Sequence, residues 1–266
     1  MTVRRYLLLM SAEFRRQSTY RLALVAGIFT NTVFGFLRIS ALFAAVRGGG
    51  GSIGGYDLAQ AASYVWLGQA FMAPVYMFLW QDVAVRVRSG EIVSDLARPI
   101  DLQASYWARD LGRAGLQFLT RGVPILALGG LLVGLSLPTS PWSYPLGLLS
   151  LLLGISISFV CRFGMNLIAF WTVDARGFLI LYGFVMNVLS GFYLPVAIFP
   201  DWLQVVAHAS PFPAMFQSPI DVVSGRVVDL AALRTVGIQL AWLTGLLVLT
   251  RVVFVRGRRR LEVQGG

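Results

Sequence analysis

Six stretches of this chain are long and apolar enough to cross a bilayer, near residues 22–46, 58–80, 115–137, 144–171, 178–198 and 233–255. A hydrocarbon layer of about 30 Å needs roughly 20 mainly apolar residues per helix, and a lipid-exposed segment must satisfy its own backbone hydrogen bonds. None of the six alternates with a period of two, as the roughly ten-residue strands of a membrane barrel would. The expected fold is therefore all-α and integral to the membrane. Composition agrees, because 57% of the 266 residues are hydrophobic and only 13% charged, whereas soluble domains carry about a quarter charged residues. No remaining stretch could build a separate soluble core, so residues 1–266 read as a single membrane domain.

Arginine sets the orientation, since basic residues in short loops stay on the cytoplasmic side. Arg4, Arg5, Arg15, Arg16 and Arg21 precede the first span. Arg86, Arg88, Arg98, Arg109 and Arg113 fill the loop after the second, Arg176 follows the fourth, and Arg256, Arg258, Arg259 and Arg260 end the chain. The alternate loops hold only Arg47, Arg226 and Arg234. Both termini are expected in the cytoplasm. This asymmetry and anionic headgroups account for the net charge of +10, so a nucleic-acid partner is not required. Residues 1–20 are too charged after their apolar part for a cleavable signal. Val3, Leu7, Met10 and Phe14 recur at helical spacing beside Arg5, Glu13, Arg15 and Arg16, which predicts either a helix lying on the cytoplasmic leaflet or a leader that merely orients the first span.

The residue inventory excludes several chemistries. All 22 basic residues are arginine, so a P-loop lysine, a Schiff-base lysine and a Ser-Lys dyad are ruled out. One histidine, His208, and one cysteine, Cys161, cannot form a His/Cys metal cluster, and no acids converge within the apolar runs. No metal site and no bound cofactor are expected, nor is an intramolecular disulfide. Gly49, Gly51 and Gly54 have G-x-G-x-x-G spacing, but they follow a membrane helix rather than a strand, and a flexible outer loop is the better reading.

Charges inside the apolar runs are expensive, about 2.5–3.5 kcal/mol each on insertion scales. Arg38 in the first span and Arg162 in the fourth are such residues, and Asn166, one turn after Arg162, with Asn31 and Asn187 adds neutral polar groups. Either they line a substrate path, or they hold helices together through carbonyls and a partner subunit. Between the second and third spans, RVRSGEIVSDLARPID places Ile92 and Leu96 four apart, with Asp95 beside them. Pro99 ends any helix begun near Gly90. A short helix presented between two spans is a docking surface for a soluble partner, or else a solvated connector. After the fifth run, SGFYLPVAIFPDWLQ breaks at Pro195 and Pro200, starts a short helix at Asp201 and Trp202, and returns past His208 through Pro211. That helix is too short to span. It reads as an outer-leaflet re-entrant hairpin, or as a loop packed over the bundle mouth.

Taken in order, these features resemble the membrane subunits of ABC-2 type exporters, in the bacterial branch with six-span permeases of about this length. The similarity covers essentially the whole chain and rests on Gly90, Leu96, Arg98-Pro99 and Asp101, in a G-x(5)-L-x-R-P-x-D arrangement, and on SGFYLPVAIFPDWLQ followed by SPF. The resemblance implies a coupling helix around Gly90, Glu91, Ile92, Asp95, Leu96, Arg98, Pro99 and Asp101 that docks on an ATPase. It also implies an outer lid with Pro195, Pro200, Asp201, Trp202, His208 and Pro211, and an N-terminal helix on the inner surface. Two ABC ATPase subunits would carry ATP and Mg, and a second permease, identical or related, would complete the path in a bacterial inner membrane. Catalysis by this chain is not expected. A gradient-driven secondary transporter is disfavoured by the lack of intramembrane relay acids and of internal repeats. A non-transporting membrane subunit is the remaining alternative.

Overall fold

The computed structural model describes residues 2–17, 21–136, 138, 140–172 and 174–260. In chain order the helices are α1 (Thr2–Gln17), α2 (Arg21–Gly48), α3 (Leu58–Val75), α4 (Asp82–Arg88), α5 (Ile92–Leu96), α6 (Leu102–Gln117), α7 (Val123–Leu132), α8 (Ser143–Asn166), α9 (Arg176–Leu189), α10 (Asp201–His208), α11 (Phe212–Met215), α12 (Gln217–Val223) and α13 (Asp229–Gly257). A π-turn at Phe118–Gly122 joins α6 to α7, and a 3-10 turn, Leu167–Phe170, extends α8. Among the described residues there is no strand, only an isolated bridge between Ile53 and Tyr56. The all-α expectation holds.

Among the described residues, four helices are long and apolar enough to cross a membrane: Val25–Gly48, Leu102–Leu132, Ser143–Phe170 and Asp229–Arg260. α8 is the central one, with Ile157, Phe159, Val160 and Phe163 buried. It packs on α13, α12, α11, α6 and α3. Polar side chains bridge these helices where burial obliges them to find partners: the Gln239 amide of α13 donates to the carbonyls of Ser150 (3.0 Å) and Ala214 (2.7 Å). The Trp107 indole donates to Ser156 at 3.2 Å.

Three predicted spans have different limits. The run 58–80 is helical only to Val75: Asp57 caps its start by accepting from Gln60 N at 2.8 Å, Pro74 lies near its end, and Tyr76 takes a left-handed conformation. The run 115–137 begins earlier, because helix is continuous from Leu102 to Leu132; Leu137 lies outside the described residues. In the run 178–198 the α-helix stops at Leu189. Gly191 then has φ +84°, and a side chain there would collide with Gln217 and Tyr64, so glycine permits the chain to turn away.

Of the N-terminal segment 1–20, Met1 and residues 18–20 lie outside the described residues. α1 crosses α6 at Gly112, where a Cβ would stand 2.1 Å from the Met10 carbonyl oxygen. Met10 and Phe14 are partly covered, while Val3 and Leu7 are exposed, so the apolar face is divided between α6 and the outside. The Gly49–Gly54 stretch is a fastened turn rather than a freely flexible loop, since Arg226 donates to the carbonyls of Gly55 (2.9 Å) and Gly54 (3.1 Å).

Candidate functional site

The gap between α3 and α4 is where this fold spends its buried charge. A helix end leaves carbonyls without intrahelical partners, and in a membrane protein they must be satisfied within the chain. Arg113 of α6 donates to the Ala73 carbonyl at 2.8 Å and the Pro74 carbonyl at 2.9 Å. Ser158 of α8 donates to Val75 at 2.6 Å. At the far side of the gap, the Asn166 amide donates to the Trp80 carbonyl at 2.9 Å and accepts from Ala84 N at 3.0 Å. Side chains from two other helices thus close the break at both ends.

Arg113 and Arg162 bring two positive charges to this place. Their guanidinium carbons lie 4.4 Å and 4.7 Å from the ring centroid of Tyr76, within cation–π range. Asp110 compensates them: one carboxylate oxygen meets Arg113 and the other meets Arg162, each at 3.0 Å. Arg162 is 2% exposed. It therefore acts within the chain as a brace between α6, α8 and the break, and Asn166 does the same for α4. Asp110, which precedes the third apolar run in sequence, lies on the continuous helix Leu102–Leu132 and is buried. Arg113, expected in a cytoplasmic loop, is likewise buried.

After the break, α4 and α5 form a short hairpin, with α4 packed on α8 and its 3-10 extension. Gly90, with φ +78°, turns the chain between them. Arg86 of α4 then pairs with Asp95 at 2.6 Å and Glu91 at 3.1 Å, and Arg98 approaches Asp95 at 3.8 Å. Ile92 is fully buried, Asp95 is buried and Leu96 is partly covered. Asp101 caps α6 by accepting from Ala104 N at 2.9 Å and pairs with Arg251 of α13. The residues singled out around the G-x(5)-L-x-R-P-x-D arrangement accordingly divide by role. Ile92, Asp95 and Asp101 face inward or fix neighbouring elements, whereas Glu91, Arg98 and Pro99 are exposed together with Val93, Ser94 and Ala97.

At the opposite end, Arg38 of α2 donates to the carbonyls of Phe192 and Tyr193 and lies 5.0 Å from the Phe192 ring, binding the break after α9. Asn187 is partly buried, and its Oδ1 has no partner. Pro195 is buried, Pro200 leads directly into α10, Asp201 occupies its first turn, and Trp202 and His208 are exposed. Pro211 precedes α11. Behind them, largely buried Asp221 accepts from Tyr56 at 3.2 Å and Gln217 at 3.3 Å, with Arg226 at 3.9 Å. Burial pushes its carboxyl up to about 6, against the opposing pull of Arg226 and of those hydrogen bonds.

Linear reading misses Tyr76, Asp110, Arg113 and Asp221. The one local signal is the i,i+3 pair Asp110 and Arg113, which shares a helix face; the left-handed Tyr76 has none.

A break braced by buried ions, followed by a short helical hairpin, on a bundle that among the described residues is all-helical and has four membrane-length helices, defines a polytopic membrane protein. Residues 29–265 match the family model described as ABC-2 family transporter protein. The chain belongs to that family, whose members are membrane transport components. A comparison with curated proteins finds no match.

Proposed function

We propose that this chain is the permease subunit of an ATP-driven exporter, powered by separate ABC ATPase subunits. The observation that carries the proposal is the α4–α5 hairpin. Its inner side packs through Ile92 and Asp95, with Arg86 paired to Asp95 and Glu91, and its exposed side presents Val93, Ser94 and Arg98 to a partner. Family membership supplies the partner class. Two ATPases would bind ATP and Mg, this chain having no lysine to supply a phosphate-binding loop.

The topology in this proposal has six crossings, with both termini and α5 on the cytoplasmic side of a bacterial inner membrane. α3 and α9 join the four long helices. α3 buries its polar residues Ser63 and Gln69 against protein. The path runs between this permease and a second one, identical or related. Arg38 and Asn187 are its candidate lining residues, while Arg162 and Asn166 brace the wall. The α10 hairpin, from Pro195 to Pro211, serves as an outer lid.

Export should depend on the hairpin face. The double variant Val93→Asp, Arg98→Asp should copurify poorly with its ATPase and lose transport-coupled ATP hydrolysis, with the isolated permease still folded. Wild-type coupling in that variant would overturn the docking assignment. The competing gradient-driven reading gains an intramembrane acid in Asp110, but both of its oxygens are held by guanidiniums, leaving it poorly suited to carry a proton.

A further inference from the structure

Arg109, Arg113, Gln117 and Arg121 follow one another at steps of four along α6 and the π-turn. That spacing keeps them on one helix face, over about 18 Å at 1.5 Å per residue. All four line a cavity of about 950 Å³ whose other walls are α1, the end of α3, the break and α4. Volumes of this order accommodate a small-molecule ligand.

The chain's own ion pairs do not use up this face. Four carboxylates share the cavity: Glu13 pairs with Arg16, Glu91 with Arg86, and Asp110 with Arg113 and Arg162. Asp82 lies in the first turn of α4. Arg109, however, has no carboxylate within ion-pair distance among the described residues; its guanidinium lies 5.6 Å from the Tyr106 ring. Two turns further along, Gln117 Oε1 is buried without a hydrogen-bond donor. Leaving a buried acceptor unmet is costly, and a cation half sunk between helices is normally matched by an anion. Leu9 and Ala12 of α1 and exposed Phe78 add apolar surface to the same cavity. The unmet needs are thus an anion at Arg109, a donor at Gln117 and an apolar body beside α1.

We infer that this cavity is a binding site for an amphiphile whose headgroup combines a phosphate with a hydrogen-bond donor, as a glycerophospholipid headgroup with free hydroxyls does. The phosphate meets Arg109, a hydroxyl meets Gln117, and the acyl part leaves along Leu9 and Phe78. This site goes beyond the exporter reading and stands without it, because it needs only the membrane location of α6.

The test uses the purified chain in mild detergent, with phosphatidylglycerol and phosphatidylcholine as probes and retained lipid counted by mass spectrometry. Phosphatidylglycerol should be retained in preference to phosphatidylcholine, which has no headgroup donor. Arg109→Gln should lower its retention about tenfold, the worth of one charge-assisted hydrogen bond, and Gln117→Leu severalfold. Arg5→Gln, the same charge change on an exposed part of α1, should leave retention unchanged. If Arg109→Gln fails to fold, Arg109→Lys keeps the test open, since it preserves the charge and should retain phosphatidylglycerol. Equal losses in Arg109→Gln and Arg5→Gln would overturn the site, as would equal retention of the two lipids. Displacement by millimolar inorganic phosphate alone would overturn the amphiphile and leave a soluble anion in its place.

Discussion

Asp110 and Arg162 stand 52 positions apart in the chain, and their side chains meet at 3.0 Å in the protein interior. Arg113 engages the other oxygen of the same carboxylate. One acid therefore balances two guanidiniums, and those guanidiniums hold the break between α3 and α4 that leads into the α4–α5 hairpin.

Removing the acid alone should be worse than removing it together with Arg162. Asp110→Ala leaves two buried cations uncompensated, a loss of about 3–5 kcal/mol, seen as a lower thermal unfolding midpoint in detergent. Combining Asp110→Leu with Arg162→Met should recover part of that loss, because Arg113 is then the one cation of the two left without its acid. A double variant as unstable as Asp110→Ala would show that the ions contribute more than mutual compensation.

The hairpin's two sides should separate experimentally. Ile92 is 0% exposed, so Ile92→Ala should destabilise the fold by about 2–5 kcal/mol. Val93 is 42% exposed, and Val93→Asp should leave the unfolding midpoint within the small range usual for surface changes while weakening copurification with the ATPase. Equal stability losses at the two positions would mean that both face the core.

A pH dependence follows from Asp221. Its carboxyl, ordinarily near 3.8, is pushed up to about 6 by burial. The folded chain therefore keeps a proton that the unfolded chain releases between about pH 4 and pH 6. The contribution of this group to stability is greatest at and below pH 4, falls as pH rises to 6, and is level above that. Thermal unfolding from pH 4 to pH 7.5 should show the decline in the wild type and a flatter profile in Asp221→Asn. Matching slopes in the two proteins would place the titration elsewhere.

The outer hairpin can be probed without opening the core. Ala207 and Phe212 pack with Leu189 and Val196, so deleting residues 200–212 would damage more than a lid. Trp202 and Val205 are 68% and 69% exposed. Trp202→Ala with Val205→Ser should change stability by no more than about 0.5 kcal/mol per site and still reduce export from inverted vesicles. Full export in that variant would argue for an ordinary loop.

How much of this was readable along the chain depends on how far apart the interacting groups lie. Asp201 at a helix start, a helix between Gly90 and Pro99, and the glycine and prolines after Leu189 are local signals, and each falls where local chemistry puts it. In the linear reading, residues 101–114 precede the third apolar run, so Asp110 and Arg113 count as loop charges. They are buried instead, because α6 continues that run inward and α1 covers it at Gly112. Arg162 is recognisable as costly in any linear reading, but its partner is not, since ion pairing has no sequence period.

Hydropathy and spacing by themselves determined that this chain is helical, that it belongs in a membrane, and that a short helix lies between Gly90 and Pro99. Those properties follow from the transfer of side chains and backbone out of water, which acts residue by residue. Tertiary structure alone decided where α3 stops, which charges are braced and which face of the hairpin stays free. The reason is that helix-end carbonyls at Ala73, Pro74 and Val75 are satisfied by Arg113 and Ser158, partners that only packing brings within reach.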